Sequence, residues 1–324
     1  MTRLVERAAS ADPAVFTGER LTNAVSGQLE AEHYHRYLVA LHLCRDRDVL
    51  DVATGEGYGA AMLAQHARSV IACDVAADVI DRARRAFPRP NLHFIVGDAR
   101  LLPAPDQLVD VVVCFEALEH FIEQGVFLDE VRRVLRPGGM LLVSTPDSDV
   151  YSPPGAEPNP FHLRELTRQG FVTLLRSRFG HVTLARQRAV AASVLLPEDS
   201  GAPTLVFERS GERHYAVDAQ LPHAPYLLAC ASDTALQPLP ASLLILHGDL
   251  DGVLRVQLEA LAARRDAEDA VRRLRTIEAT FLWRFDVKLR RFGARLMLPV
   301  QSVQRVLHHA VHRPRGPVGR DIIL

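Results

Sequence analysis

Four residues of this 324-residue chain have the types and spacing for acceptor chemistry: Glu116, Glu119 and His120 in the run EALEH, and His162 further on. Two carboxylates and two imidazoles that converge on one point suit a divalent cation such as Mg²⁺ or Mn²⁺, with positions left for substrate oxygens. A bound cation stabilises an alkoxide and fixes a hydroxyl, a poor nucleophile at neutral pH, in line for attack. The same residues fit a metal-free scheme in which His120 or His162 is a general base, because imidazole titrates near neutrality. They also fit a structural arrangement, with the carboxylates favoured at a helix N-terminus and the histidines hydrogen-bonded locally.

A second set surrounds the run LDVATGEGYG. Gly55, Gly57 and Gly59 fall where the chain turns tightly from a strand into a helix and can admit a ligand against its backbone. The spacing is GxGxG, unlike the fingerprint that seats a pyrophosphate on a helix N-terminus. Asp51 would repel a phosphate, but it can hold the amino group of an amino-acid ligand, directly or through water. Asp74 stands nineteen residues after Gly55, where nucleoside-binding α/β proteins place a carboxylate for the ribose hydroxyls. Asp98, in Gly97-Asp98-Ala99, can accept from an adenine amino group while the next backbone N–H meets a ring nitrogen. Ala53, Val75, Ala99 and Phe115, beside these acids and glycines at the strand ends, belong to the same predicted site. Each acid alone reads as an N-cap. Four such features on consecutive strand ends point to one ligand, an adenosine joined to an amino acid.

The elements that would position both sets alternate. Strands are predicted at 48–53, 69–74, 91–96, 108–115 and 140–145, with helices at 58–67, 76–87, 117–135 and 162–177. The strands scarcely alternate in polarity and read as buried on both faces, so the fold class is α/β with a parallel sheet and crossover helices. RPGG at 136–139 supplies a stop for the third helix. Within the segment 1–45, a helix-like stretch with Glu30, His33, Tyr34, His35, Arg36 and Tyr37 precedes the first strand as a lid. Two further strands, 181–190 and 226–232, complete a seven-stranded sheet in a domain spanning 46–247, with an irregular, hairpin-bearing insertion at about 191–225. A C-terminal helical extension follows: an amphipathic helix at 248–283, suited either to packing on the domain or to a homodimeric coiled coil. From Arg284 to Leu324, nine Lys or Arg residues face two Asp and are interleaved with apolar side chains. That pattern suits peripheral contact with a membrane surface, or a solvated basic tail.

Composition narrows the classes. With 48% hydrophobic and 24% charged residues and a formal charge of -1, the chain has the make-up of a globular protein with no global electrostatic case for nucleic acid. Cys44, Cys73, Cys114 and Cys230 form no CxxC pair and read as reduced core residues. No apolar leader or membrane span is legible, and a cytoplasmic location is expected.

The motifs VLDVATGEGYG, VIACD, VGDAR, DVVVCFEALEH and VLRPGGMLLVSTP together resemble class I S-adenosylmethionine-dependent methyltransferases, across roughly residues 20–236. The resemblance implies a Rossmann-like sheet. It also implies S-adenosylmethionine as cofactor, with its methionine part at the glycine loop, its ribose on Asp74 and its adenine at Asp98. Ala53 and Thr54 stand where family members often have Gly or Cys. ExxEH with a distal His resembles the metal-dependent small-RNA 2′-O-methyltransferases, which implies Glu116, Glu119, His120 and His162 as ligands of Mg²⁺ or Mn²⁺; a related ExxEH occurs in ubiquinone-biosynthesis O-methyltransferases. FTGERL, EHYHRYLVAL and STPD…YS…NPFHLREL resemble methyltransferases associated with bacterial cell-surface glycan synthesis. That implies O-methylation of a sugar hydroxyl, with glycosyltransferases as partners. A catechol or polyketide acceptor is the nearest alternative, and a non-catalytic glycan-synthesis scaffold a third.

Overall fold

The computed structural model of the chain describes residues 28–190, 206–210, 213–217, 221–244 and 270–273. The chain divides into two units, residues 1–253 and 254–324. Of the second, only one helical turn at 270–273 is described. The rest of the predicted amphipathic helix, the basic tail and residues 1–27 lie outside the described residues.

The first unit begins with α1 (Gln28–Cys44), β1 (Asp48–Val52), α2 (Tyr58–Leu63), β2 (Ser69–Asp74), α3 (Ala77–Ala86), β3 (Leu92–Val96) and β4 (Val109–Phe115). It continues with a 3-10 turn (Leu118–His120), α4 (Gln124–Val134), β5 (Leu135–Pro146), α5 (Ser148–Tyr151), α6 (Arg168–Arg176) and β6 (His181–Gln187). A two-stranded hairpin of β7 (Val206–Ser210) and β8 (Arg213–Val217) precedes β9 (Tyr226–Ser232). The seven-stranded sheet has the order β3-β2-β1-β4-β5-β9-β6, parallel from β1 to β5, with β9 antiparallel to both neighbours. It is the Rossmann-like mixed sheet of the methyltransferase fold.

Because side chains alternate along a strand, the apolar runs feed two cores at once. Val49, Val111 and Val113 join α1, α2 and α3 on one face, while Leu50, Val112 and Cys114 join Phe127, Leu128 and Val131 of α4 and Phe171 and Leu175 of α6 on the other. Winding outward from β1 to β3 and back to β4 leaves a crevice at the carboxyl ends of β1 and β4, where open α/β sheets hold ligands.

Three predicted helices are shorter than their apolar periodicity indicates, the expected 58–67 ending at Leu63. The expected helix 117–135 is split into the 3-10 turn and α4, and RPGG falls inside β5 rather than in a loop. The Gln124 amide explains the break: it donates to Leu118 O and to Arg164 O, holding the turn apart from the helix behind it. The expected helix 162–177 starts only at Arg168, capped by the Thr167 hydroxyl on the Gly170 N–H. His162 therefore sits in a loop and does not open a helix.

Candidate active site

A cavity of about 1040 Å³ occupies that crevice. This is at the upper end for small-molecule sites and leaves room for two ligands side by side. One half is lined by Ala53, Thr54, Gly55, Asp74, Val75, Asp98 and Ala99, and the other by Glu116, Glu119, His120, Tyr151, Asn159, His162 and Tyr226. Phe115 lies on the wall as well.

The three glycines have different physical roles. Gly55 has φ +54, and a Cβ there would meet nothing within 4 Å, so it alone of the three leaves open space for a ligand. Gly57 is also left-handed, but a Cβ on it would stand 2.6 Å from the Phe94 ring. A Cβ on Gly59 would stand 2.0 Å from Tyr37. Neither lines the cavity; both are required for packing, Gly59 specifically so that α1 can approach α2.

Asp51 does not line the cavity either. Fully buried below it, the carboxyl accepts from Thr54 Oγ1 at 2.6 Å and from Tyr37 Oη at 3.2 Å, and burial pushes its pKa up to about 7. Its place is under the floor, where it fixes Thr54 and Tyr37, both of which do line the cavity. Asp74 does face the cavity: Oδ2 accepts from the Gly55 N–H at 3.0 Å and Oδ1 from the Ala76 N–H at 3.0 Å. The Asp98 carboxylate is gripped by the Arg100 guanidinium, with Nη2 at 2.6 Å from Oδ2, and those bonds hold it below the usual carboxylate range. An adenine amino group would compete with Arg100 for it.

α1 covers the crevice. His33 and Tyr37 line the cavity, Tyr58 Oη meets His33 Nδ1 at 3.2 Å, and Tyr34 stacks on Tyr58 with ring centroids 5.1 Å apart. Burial pushes the His33 pKa well down, so this imidazole is neutral at physiological pH.

In the other half, Glu119, His120 and His162 each offer a ligand atom, and the three atoms lie within 4.8 Å of one another. The loop is clipped there by its backbone, since Leu163 N and Arg164 N both donate to Glu119 O. His120 Nδ1 lies 2.8 Å from Phe161 O, which places the ring proton on Nδ1 and the lone pair on Nε2. His162 Nδ1 meets Glu165 Oε1, and its Nε2 lies 3.0 Å from the Asn159 amide. Glu119 is 1% exposed and accepts from Thr145 Oγ1; burial, reinforced by the neighbouring Glu116 charge, pushes its pKa well above the ordinary value.

Glu116 is not part of this cluster, contrary to the predicted four-ligand set. The spacing i, i+3, i+4 would align the three residues of EALEH only on a helix, whereas Glu116 has φ +50 and the helical turn begins at Leu118. Such backbone strain costs of order 1–3 kcal/mol and persists where the surroundings enforce it. The enforcing contacts are the Glu116 N–H on Ser144 Oγ at 3.0 Å, and Ser144 Oγ donating to Glu116 Oε1 at 2.6 Å. Arg36 Nη1 approaches the same oxygen at 3.4 Å from α1.

Ser144, Asn159 and Tyr226 were not read as site residues from sequence, and Arg36 was read only as part of a lid. Arg36 carried a usable signal, because Glu32, Arg36 and Ala40 repeat every four residues on the buried face of α1.

The donor set fits a nucleoside–amino-acid cofactor: an open glycine turn, a cavity-facing carboxylate at the end of β2 and a further carboxylate beyond β3. It also fits a cation, since the buried Glu119 carboxyl, whose side-chain partner is the neutral Thr145 hydroxyl, stands beside two imidazoles.

Residues 50–143 match the family described as a methyltransferase domain. A probable S-adenosylmethionine-dependent methyltransferase of Mycolicibacterium smegmatis is 41% identical over 168 residues, 50% of this chain and 63% of that protein. The fatty-acid O-methyltransferase of the same organism is 36% identical over 122 residues, 35% of this chain and 44% of that protein. Each match thus spans less than two thirds of the relative's length. Among solved structures, an S-adenosylmethionine-dependent methyltransferase from Aquifex aeolicus matches with a TM-score of 0.40 at 22% identity, covering 48% of this chain and 85% of that one. The matched residues run from β1 into β5 and include the glycine turn, Asp74, Asp98 and the EALEH segment, so residues 50–143 form a methyltransferase domain similar to those of S-adenosylmethionine-dependent methyltransferases.

Proposed function

We propose that the chain methylates a hydroxyl oxygen, on a sugar of a cell-surface glycan or its precursor, with S-adenosylmethionine in one half of the cavity and the acceptor in the other. The observation that carries this reading is the cluster of Glu119, His120 and His162 in the acceptor half. Those three residues would hold a Mg²⁺ or Mn²⁺ ion, which would lower the cost of removing the hydroxyl proton. The cofactor supplies a methyl group on a sulfonium. Gly55 and Asp74 hold the cofactor, α1 excludes water, and the loop bearing His162 orients the acceptor. The basic tail 284–324 and glycosyltransferase partners would keep the enzyme near growing chains.

A lipid-like acceptor is the second reading. Ile122 and Leu163 line the cavity and are 65% and 59% exposed, and one relative is named a fatty-acid O-methyltransferase.

Calorimetric titration of S-adenosylmethionine and of Mn²⁺ into chelator-treated protein, wild type and Glu119→Ala/His162→Ala, tests the proposal. The expected result is that wild type binds both and the variant loses only the metal. Cofactor binding without metal binding in wild type overturns the metal, and loss of both overturns the enzyme reading.

A further inference from the structure

Glu116 is built differently from the carboxylate beside it. Its Oε1 accepts from the Ser144 hydroxyl at 2.6 Å and lies 3.4 Å from Arg36 Nη1, an ion-pair approach without a hydrogen bond, while no described group donates to Oε2. The side chain lines the cavity. One oxygen is anchored and the other is presented.

The anchor is itself held from behind. Arg36 is 1% exposed, donates through Nε to Gln187 Oε1 at 2.6 Å and lies with its guanidinium 4.7 Å from the centre of the Tyr226 ring. Gln187 in turn donates to Glu32 O at 2.8 Å, so the guanidinium is fixed between α1 and the end of β6. A rigid, planar cation in this position turns the Glu116 carboxylate without entering the cavity, since Arg36 does not line it.

An acceptor-only oxygen at a cavity wall selects a ligand with an O–H or N–H donor. A carboxylate has no O–H or N–H to offer this oxygen and would meet the Glu116 charge there, and among the described residues the arginine on the cavity wall, Arg100, is already held by Asp98. Tyr151 and Tyr226, with ring centroids 5.8 Å apart and planes tilted by 53°, offer an apolar wall for the carbon skeleton of the same ligand.

We infer that Glu116 Oε2 accepts the hydrogen bond of the acceptor's hydroxyl, that Arg36 and Ser144 are its positioning residues, and that the acceptor class is a neutral polyol or vicinal diol rather than a carboxylate. This rests on the proposed O-methyltransferase reading and narrows it.

The test uses full-length, chelator-treated protein saturated with S-adenosylhomocysteine. Methyl α-L-rhamnopyranoside and 4-nitrocatechol serve as vicinal-diol probes and octanoate as a carboxylate probe, followed by saturation-transfer NMR and calorimetry. At least one diol is expected to bind wild type and octanoate not to. Glu116→Gln, which turns the cavity-facing atom into a donor, should weaken the diol about ten-fold or more, as expected for a hydrogen bond to a charged group. Arg36→Gln should weaken it as well, with Arg36→Lys restoring part of the loss, a rescue that a packing role for Arg36 would not give. In all three variants S-adenosylhomocysteine affinity should stay at the wild-type value. The inference is overturned if Glu116→Gln binds the diol like wild type, or if wild type binds neither diol or prefers octanoate. Failure of the underlying reading shows separately, as loss of S-adenosylhomocysteine binding by wild type.

Discussion

The Tyr37 hydroxyl of α1 reaches across to Asp51 at the tip of β1 at 3.2 Å, and Thr54 Oγ1 meets the same carboxyl at 2.6 Å. Through this buried acid the covering helix and the cofactor turn share one anchor, so its protonation state bears on both.

The pH dependence follows from that burial. The Asp51 pKa is pushed from 3.8 to about 7, so between these values the folded protein keeps a proton that the unfolded chain has released. Stability therefore falls as pH rises through this window and levels off above it. In cofactor-free protein, the melting temperature of wild type relative to Asp51→Asn should be higher at pH 5 than at pH 8, falling steadily between pH 5 and about 7. A difference that stays flat over this range would show that Asp51 does not titrate there.

Gly55 and Gly59 should fail in opposite ways. Gly59→Ala drives a Cβ into the Tyr37 ring and should destabilise the fold by about 1–3 kcal/mol in urea unfolding, with α1 loosened. Gly55→Ala meets no protein atom; its cost is the positive φ, about 1 kcal/mol, while its methyl group projects where the ligand would lie. It should lose S-adenosylhomocysteine affinity far more than it loses stability. Equal effects on both readouts at the two positions would sink the distinction.

Glu119→Gln separates metal binding from folding. Burial pushes the Glu119 pKa well up, so without a cation the folded state favours the neutral acid, which glutamine imitates in shape and charge. The metal-free variant should unfold within about 1 kcal/mol of wild type at neutral pH, or later, because glutamine carries no charge to desolvate and still accepts from Thr145 Oγ1. Mn²⁺ binding, read by calorimetry, should be abolished. Retained Mn²⁺ affinity would remove Glu119 from the ligand set.

Much of this was legible in the sequence, for physical reasons that differ by region. The strands 69–74 and 226–232 stand where the apolar runs place them, because strands buried on both faces leave a continuous apolar record. The break between His120 and Gln124 left none: the residues that enforce it, Gln124 and the carbonyl of Arg164, are brought together only by the tertiary fold. The same holds for Glu116. Its place at a strand end was readable, but its left-handed backbone and its separation from Glu119 depend on Ser144, twenty-eight residues away, and on Arg36.

Asp98 and Arg100 give a prediction for the adenine end. Arg100 holds both oxygens of the carboxylate that an adenine amino group would use, and its Nη1 already lies 3.7 Å from Glu123. Removing this exposed competitor with Arg100→Ala should raise S-adenosylhomocysteine affinity by roughly two- to five-fold, since surface pairs are weak. Asp98→Ala should lower it by about ten-fold. A loss of affinity in Arg100→Ala would mean that the guanidinium contacts the cofactor instead.

The pairing of Arg36 with Glu116 can be measured apart from any ligand. Removing one member of a buried ion pair strands the other and typically costs about 3–5 kcal/mol, so Arg36→Met should be among the more damaging substitutions in α1. Glu116→Gln should cost less, because the Ser144 hydroxyl still finds an acceptor and Arg36 keeps its bond to Gln187. If the two residues act on each other across the gap between α1 and β4, the double variant should unfold with a loss smaller than the sum of the single losses, by about 1–3 kcal/mol. Urea unfolding of the four proteins at pH 7.5 and low ionic strength checks this. Strict additivity would mean that Arg36 stabilises α1 through Tyr226 and Gln187 alone, and that the Glu116 carboxylate is positioned by Ser144 without it.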